Sequence, residues 1–94
     1  MLTGEEINGP VRIPIDGVLD LHAFPPGEAA SVVAEYIAAC MDRGIREITI
    51  IHGKGTGALR RTVHARLRRD PRVLSFGLDP GPSGWGATRV RLSS

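Results

Sequence analysis

Residues 45–60 read IREITIIHGKGTGALR, and this stretch decides the fold. The β-branched run from Ile45 to Ile51 predicts a strand, and its weak alternation of polar and apolar residues predicts burial on both faces. A glycine-rich segment, His52 to Gly57, follows at once and leads into a helical pattern. A strand, a short glycine-rich loop and a helix in this order are typical of the repeating unit of an α/β sheet.

Two amphipathic helices flank this strand along the chain. Apolar residues at i, i+3, i+4 and i+7 predict a helix over residues 27–43, and Gly44 supplies its end. A second helix is predicted over residues 58–69, and its buried stripe consists of Leu59, Val63 and Leu67. The side away from that stripe is expected to be exposed and basic, and it carries Arg61, His64, Arg68 and Arg69. No special role is predicted for His64.

Further segments have strand patterns. Residues 17–22 predict a short strand before the first helix. The third and fourth strands are predicted from alternating residues, which are Leu74, Phe76 and Leu78 in the third and Thr88, Val90 and Leu92 in the fourth. Arg89 and Arg91 are expected to face outward, and residues 11–15 allow one extra edge strand at best, because Pro14 lacks an amide donor. The order βαβαββ predicts an α/β fold with parallel strands across each helix and an antiparallel pair at the end.

Length and composition bound the class of protein. The 94 residues, 41% of them hydrophobic, suffice for one domain, which we place at residues 17–94, with residues 1–16 as an N-terminal arm without periodicity. The lone Cys40 excludes an internal disulfide framework and predicts a cytoplasmic protein. No apolar run approaches the ~20 residues that cross a bilayer, so no membrane partner is expected. Residues 1–6 lack a basic region, so no signal peptide is expected.

The net charge of +2 combines two unlike halves of the chain. Residues 1–42 contain seven acidic residues and one arginine, whereas residues 43–94 contain eleven basic and three acidic residues. Seven of those bases lie between Lys54 and Arg72. Such a block is typical of a surface that binds phosphates. A solvated helix face in an arginine-rich protein explains the same pattern, so the charge alone leaves both interpretations open.

Three polar segments are expected to meet at one edge of the sheet. Asp20 and His22 close the first predicted strand, and the glycine-rich segment follows the second. Ligands of open α/β sheets bind at the carboxyl ends of parallel strands. The last strand runs in the opposite direction, so the residues before it, Gly84, Trp85 and Gly86, reach the same edge. The sequence therefore predicts one cleft lined by all three segments.

The glycine-rich segment is predicted to bind phosphate. Its glycines leave backbone amides free to face an anion, the following helix has a partially positive N-terminus, and Lys54 adds a full charge. The predicted phosphate-binding residues are Gly53, Lys54, Gly55, Thr56 and Gly57. Their spacing matches neither a Walker A loop nor a dinucleotide-binding loop. The alternative is a plain strand-to-helix connection with Thr56 as N-cap, which would need one glycine rather than three.

The candidate catalytic residues are Asp20, His22 and His52. His22 has the chemistry of a general acid or base, Asp20 could orient its ring, and His52 could be its partner across the neighbouring strand. The same three side chains could instead bind a divalent metal ion, although no zinc-specific spacing is present. A single histidine at a strand end more often has a structural role. Trp85 could stack on a nucleic-acid base or simply cover the wall of the cleft.

Three motifs in series resemble the small MutS-related (Smr) domain family. They are LDLH at residues 19–22, IIHGKGTGALR at residues 50–60 and GWGATRV at residues 84–90. The resemblance covers about residues 17–92 and suggests a stand-alone member. It implies a two-layer α/β sandwich of a mixed four-stranded sheet and two helices. It also implies nucleic-acid binding, nicking of DNA or cleavage of RNA, and a role in DNA repair or recombination.

The resemblance assigns roles to particular residues. Asp20 and His22 match the motif that the family uses for cleavage, and residues 52–57 match its glycine loop. Gly84 and Gly86 match its third glycine motif. With the basic residues, the side chains and glycines expected to contact nucleic acid are Arg60, Arg61, Arg68, Arg69, Gly84, Trp85, Gly86, Arg89 and Arg91.

The sequence thus predicts a nucleic-acid-binding domain that acts as an endonuclease on DNA or RNA. The alternative is a non-catalytic module for branched or single-stranded nucleic acid. An enzyme for a small phosphorylated molecule is a third class, which is disfavoured because an exposed arginine face suits a polymer better. The sequence predicts no oligomeric state, and a divalent metal ion is left open as a cofactor.

Overall fold

A computed structural model describes residues 14–81 and 86–93, and its element order is the predicted βαβαββ. Two 3₁₀ turns, Leu21–Ala23 and Pro26–Glu28, precede the first helix. The helices and strands are β1 (Val18–Asp20), α1 (Ala29–Asp42), β2 (Glu47–Ile51), α2 (Ala58–Arg68), β3 (Val73–Leu78) and β4 (Ala87–Leu92).

The four strands form one mixed sheet in the order β1-β2-β4-β3. β1 and β2 are parallel, and β4 is antiparallel to both of its neighbours, which confirms the predicted topology. Ile51 at the end of β2 is paired with Ala87 at the start of β4, and Asp20 is paired with Ile51. The ends of β1 and β2 and the beginning of β4 therefore meet at one edge of the sheet, as expected. In the predicted extra strand, residues 11–13 lie outside the described residues, and Pro14 and Ile15 are not in a strand.

Both helices pack on each other and on one face of the sheet. Two right-handed crossovers in the same direction put both helices on the same side. The apolar stripes of helices and strands meet there, and the largest fully buried side chains include Leu19, Val32, Val33, Tyr36, Ile37, Ile48, Ile50, Val63 and Leu67. This two-layer α/β sandwich is the predicted architecture.

The other face of the sheet is uncovered by any described element. In β2 only Ile48 and Ile50 are buried, whereas Glu47 is exposed and Thr49 and Ile51 are half-buried. The prediction of burial on both faces of this strand was therefore wrong. Its β-branched composition reflects the central place of β2 in the sheet, where β-branched side chains pack well on either face.

A β-bulge changes the pattern of β3. The register shifts between Val73 and Ser75 where β3 pairs with β4. The extra residue turns Leu74 to solvent, where it is 66% exposed, so the predicted alternation of Leu74 with Phe76 and Leu78 was wrong at its first position. The bulge leaves Phe76 facing the helices.

The ends of the first two elements differ from the prediction by a few residues. β1 stops at Asp20, and His22 lies in a 3₁₀ turn rather than in the strand. α1 begins at Ala29 because Pro26 starts a separate 3₁₀ turn. The outer edge of β1 is closed by a side chain, since the Tyr36 hydroxyl accepts from the Gly17 amide at 3.0 Å and donates to the Val18 carbonyl at 3.1 Å.

A buried salt bridge joins the end of α2 to the beginning of β3. The Asp70 side chain is 1% exposed and accepts two hydrogen bonds from the Arg72 guanidinium, at 2.7 and 2.8 Å. Arg66 approaches the same carboxylate at 3.5 Å. The hydrogen bonds from Arg72 hold the pKa of Asp70 below its ordinary value. Two of the seven bases between Lys54 and Arg72, namely Arg66 and Arg72, therefore stabilise the fold.

None of the helices in the described part of the chain combines the length and the apolar character that crossing a membrane requires.

Candidate active site

Asp20 and His22 form an exposed pair at the carboxyl end of β1. Asp20 Oδ1 accepts the His22 amide at 2.9 Å and lies 2.8 Å from Nδ1 of the His22 ring. The two side chains are 56% and 64% exposed. Because a carboxylate only accepts hydrogen bonds, Nδ1 carries a proton, and Nε2 is the ring nitrogen without a hydrogen-bond partner among the described residues. The pair shares an edge as predicted, although the 3₁₀ turn rather than a strand brings His22 back over Asp20.

The His22 ring faces the glycine-rich loop. A β-carbon placed on Gly53 would lie 3.1 Å from His22 Nε2, and the φ angle of Gly53 is +79°. Both the close approach and the positive φ require glycine at this position. His22 Nε2 is therefore directed at the backbone of the loop that the sequence analysis predicted to bind phosphate.

The base of the loop is held by β4. The Gly86 carbonyl accepts the amides of His52 and Gly53 at 3.0 and 2.8 Å. This contact brings the third predicted segment to the edge, as expected. Gly84 and Trp85 lie outside the described residues, so their predicted roles stay predictions.

The loop uses all three of its glycines for its shape. Gly53, Gly55 and Gly57 all have positive φ angles. Gly57 is the N-cap of α2 in the left-handed region, and Thr56 Oγ1 accepts the Ala58 amide at 3.3 Å. The expectation that a plain connection needs one glycine was therefore wrong, because this turn needs three. The glycines alone thus do not identify an anion site.

The loop nevertheless presents free donors. Among the described residues, no acceptor bonds the amides of Lys54, Gly55, Thr56 or Gly57. Lys54, Gly55 and Thr56 are exposed, and α2 begins immediately behind them. A cleft of about 310 Å³ lies along this loop, with Pro26, Leu59 and Thr62 completing its walls. Asp20 and His22 do not line this cleft, so the prediction of one cleft lined by all three segments was wrong.

Two guanidinium groups lie beside the same loop. A β-carbon on Gly57 would be 2.9 Å from Arg60 Nη2 and 3.2 Å from Arg61 Nη1. The positive end of the helix dipole, Lys54 and two arginines therefore surround one short backbone segment. This concentration of positive charge favours an anion at the N-terminus of α2.

His52 lies beneath the loop. It is 5% exposed, with Nδ1 2.9 Å from the Gly53 carbonyl and Nε2 2.8 Å from Thr88 Oγ1. Both ring nitrogens are thus engaged inside the protein, and neither faces His22 as a free acid or base.

His64 completes a buried cluster that the sequence analysis missed. Its Nε2 lies 2.7 Å from Thr88 Oγ1, and its ring packs on Phe76 with centroids 4.9 Å apart. The prediction that His64 lies on an exposed face was wrong, because that side of α2 turns toward β4 and β3 and leaves the ring partly buried. Burial, with His52, Arg68 and Arg60, lowers the pKa of His64. Thr88 itself was detectable as a hydroxyl at an inward position between apolar residues.

The remaining basic residues lie on two faces. Arg68 and Arg69 are exposed at the far end of α2, and the Arg68 guanidinium lies 5.9 Å from the centre of the Phe76 ring. Arg89 and Arg91 face outward, as predicted, but on the sheet face opposite the helices. Arg89 also forms an exposed 3.3 Å contact with Glu47. The structure therefore does not join the bases of α2 and β4 into one surface.

The three candidate metal ligands do not form a common site. Asp20 and His22 are adjacent, but both nitrogens of His52 bond to the chain. Within residues 14–81 and 86–93, no group of three or more His, Cys, Asp or Glu side chains is arranged to hold a metal ion. Asp20, His22 and His52 thus do not fit the metal-binding alternative. Burial also raises the pKa of the Cys40 thiol to about 11, which excludes it as a nucleophile at neutral pH.

Comparison with known proteins agrees with this geometry. The family model of the Smr domain matches residues 19–93. The chain belongs to the Smr domain family. It is 41% identical over 76 residues to Endonuclease MutS2 of Levilactobacillus brevis, covering 81% of this chain and 10% of that protein. It is 40% identical over 75 residues to Endonuclease MutS2 of Thermus thermophilus, covering 79% of this chain and 10% of the relative.

Solved structures show the same Smr fold. The crystal structure of the Smr domain of Thermus thermophilus MutS2 superposes with a TM-score of 0.77 at 38% identity, over 84% of this chain and all of that domain. YdaL, a stand-alone small MutS-related protein from Escherichia coli, gives a TM-score of 0.71 at 29% identity, over 83% of this chain and 65% of YdaL. The chain spans about a tenth of the length of the MutS2 relatives.

Proposed function

We propose that this Smr domain binds nucleic acid and cleaves its phosphodiester bonds as an endonuclease. The observation that carries the proposal is the exposed Asp20–His22 pair, whose His22 Nε2 faces Gly53 of a loop with free amides. A general base can take the proton of the attacking group, and an anion-binding backbone can stabilise the charge that forms on the phosphate. Membership in a family whose relatives include proteins named Endonuclease MutS2 supports the same assignment.

The loop would bind the scissile phosphate. Lys54, Gly55, Thr56 and the first residue of α2 line the cleft, and the loop amides, the helix N-terminus and the lysine ammonium all contribute positive charge there. These donors would stabilise the additional negative charge that forms on the phosphate oxygens in the transition state. Gly53 and Gly57 would contribute by allowing the backbone turn that directs the donors outward.

His22 would act as general base. Asp20 holds the Nδ1 proton, so Nε2 can take the proton of the attacking hydroxyl, which is water on DNA or either water or the neighbouring 2′-hydroxyl on RNA. The nucleophile oxygen forms a bond to phosphorus while the bond from phosphorus to the leaving oxygen breaks. Solvent or the protonated His22 returns a proton to the leaving oxygen.

His52 would position the loop rather than donate a proton to substrate. His52 was predicted as a partner of His22, but its ring is buried and bonded on both sides. Its hydrogen bond to the Gly53 carbonyl stabilises the residue that His22 faces. Its effect on cleavage would therefore pass through the backbone.

The exposed arginines would hold the rest of the nucleic acid. Arg60 and Arg61 lie next to the loop and would contact the phosphates nearest the cleavage point. Arg68 is the last residue of α2, and Arg69 is its C-cap. They lie seven and eight residues beyond Arg61, or about 10 to 12 Å at the helical rise. Arg89 and Arg91 on the opposite face would contact only a strand that passes around the sheet edge.

The second candidate is a binding module that does not cut. The observation that favours it is that the shape of the loop already explains all three glycines, so the loop need not serve catalysis. This alternative predicts salt-dependent retention on branched or single-stranded nucleic acid without cleavage products.

The test is incubation of the purified chain with supercoiled plasmid and with structured RNA, with and without chelator. We expect cleavage that an Asp20→Ala, His22→Ala double variant lowers by about 100-fold or more. Asp42→Ala is the matched control, because Asp42 is exposed at the end of α1, away from the site.

Each outcome of this test has a defined meaning. Equal cleavage by wild type and the double variant would refute the roles of Asp20 and His22. Retention on oligonucleotides without products in any condition would support the binding module instead. Thermal stabilisation by mononucleotides but not by oligonucleotides would show that the proposed polymer substrate is wrong.

A further inference from the structure

A hydrogen-bonded chain of side chains runs from α2 through β4 to the glycine loop. His64 Nε2 contacts Thr88 Oγ1 at 2.7 Å, Thr88 Oγ1 contacts His52 Nε2 at 2.8 Å, and His52 Nδ1 contacts the Gly53 carbonyl at 2.9 Å. Thr88 is fully buried and His52 nearly so. Buried polar groups are costly unless every donor meets an acceptor. Each of these three hydrogen bonds must therefore have one donor and one acceptor.

The proton positions follow from one end. The Gly53 carbonyl only accepts, so His52 Nδ1 carries a proton and donates it. When the ring holds this one proton, Nε2 is an acceptor, and the Thr88 hydroxyl donates its single proton to it. The remaining partner of Thr88 must donate, so His64 Nε2 carries a proton. In each of these three hydrogen bonds, the donor is then on the side of His64 and the acceptor is on the side of the loop.

The surroundings of His64 fit this arrangement. The ring packs on Phe76 and meets the His52 ring edge to face at 6.1 Å between centroids. Burial lowers the pKa of His64, so its ring is neutral at pH 7 and holds one proton for one nitrogen. Packing on Phe76 fixes the ring plane and leaves Nε2 directed at Thr88.

We propose that His64 and Thr88 are positioning residues of the site, which hold the His52 ring in the orientation that donates from Nδ1 to the Gly53 carbonyl and thereby keep Gly53 in the backbone conformation that faces His22. Without the Thr88 hydroxyl, the Nε2 lone pair of His52 would be buried without a donor. The Gly53 carbonyl would still favour a proton on Nδ1, but one hydrogen bond does not fix the orientation of the ring, so the loop would lose its fixed shape. The tautomer assignment stands by itself, whereas its effect on cleavage rests on the function proposed above.

The first experiment reads the tautomers directly in the wild-type chain. Nitrogen-15 NMR of the three histidine side chains at pH 7 should show His52 protonated at Nδ1 and His64 protonated at Nε2. Single His→Gln variants assign the signals. His52 protonated mainly at Nε2, or an equal mixture of its tautomers, would overturn the proposal whether or not the chain cleaves nucleic acid.

The second experiment separates positioning from folding. Thr88→Val keeps the shape of the side chain and removes the hydroxyl, whereas Thr88→Ser keeps the hydroxyl. We expect Thr88→Val to leave the His52 proton on Nδ1, to move the Nε2 resonance to that of a nitrogen without a hydrogen bond, and to lower kcat about tenfold or more with little change in KM. Thr88→Ser should restore both the resonance and the rate. His64→Leu should resemble Thr88→Val, and His64→Gln, whose amide can donate, should resemble wild type.

The outcomes distinguish the two proposals. Wild type that shows the expected tautomers but does not cleave would refute the endonuclease and leave the positioning network intact. Wild type that cleaves, with a Thr88→Val variant that keeps the wild-type His52 Nε2 resonance and full kcat, would refute the network and leave the endonuclease intact. If Thr88→Val does not fold, the tautomers of the wild-type protein and the comparison of His64→Leu with His64→Gln test the network instead.

Discussion

Asp20 with His22 and Asp70 with Arg72 are two copies of one local arrangement in opposite surroundings. In both, an aspartate Oδ1 accepts the backbone amide and a side-chain nitrogen of the residue two positions later, at distances of 2.8 to 3.0 Å. The Asp70 side chain is 1% exposed, whereas that of Asp20 is 56% exposed. The same short motif therefore stabilises the fold in one place and is open to a ligand in the other.

The difference comes from what lies around each aspartate. Asp70 follows the end of α2, where Arg66 also reaches it and Arg72 extends to the Ala34 carbonyl of α1 at 3.5 Å. Asp20 ends β1 beside a loop that leaves it open to solvent. A paired carboxylate thus indicates a functional site only when its partner keeps a free, accessible atom, as His22 does with Nε2.

The largest expected effect is a loss in the free energy of unfolding that differs between the two aspartates. Asp70→Asn leaves Arg72 without its buried counter-charge and should lower the free energy of unfolding by about 3 kcal/mol. Asp20→Asn removes an exposed pair and should lower it by less than about 1 kcal/mol. Urea unfolding of both variants measures the difference. If both variants lose similar free energy of unfolding, burial does not explain a difference between the two aspartate pairs.

A smaller effect compares the bases around each pair. Arg60→Gln with Arg61→Gln removes two charges beside the loop and should reduce the salt dependence of oligonucleotide binding by about two counterions. Arg66→Gln removes a charge that faces Asp70 and should leave binding unchanged. Binding measured from low to moderate salt checks both. An equal loss with Arg66→Gln would assign nucleic-acid contact to the wrong part of α2.

The smallest expected effect concerns His64, the partly buried counterpart of His22. Its pKa in the folded chain lies below the ordinary 6.5, so the unfolded chain takes up a proton first as the pH falls. The free energy of unfolding should therefore decrease between neutral pH and pH 5, by less than about 1 kcal/mol for this group. Urea unfolding of wild type and His64→Gln across this range checks the sign. If the free energy of unfolding of His64→Gln decreases as much over this pH range as that of wild type, other groups cause the decrease.

Much of the fold could be predicted because it depends on periodicity and chain direction. The stripe of Leu59, Val63 and Leu67 and the inward residues of β4 follow from side-chain geometry within one element. The meeting of Asp20, Gly53 and Gly86 at one edge follows from strand direction alone. These features need no knowledge of how the elements pack.

The features that were missed depend on contacts between elements. His64 and His52 meet through Thr88, which is 24 and 36 residues away along the chain, so no local pattern reveals their bond. The bulge at Leu74 follows from pairing with β4 rather than from the composition of β3. The two aspartate pairs are equivalent in sequence spacing, and only packing makes one of them structural.

The most direct test of the central claim is the single-turnover cleavage rate of Asp20→Asn beside that of Asp70→Asn, on the same plasmid and RNA substrates, at a temperature where both variants are folded. We expect Asp20→Asn to lower the cleavage rate by about 100-fold or more, whereas Asp70→Asn should cleave at the wild-type rate. Cleavage at the wild-type rate by Asp20→Asn would contradict it, because the exposed pair would then not be the reactive one.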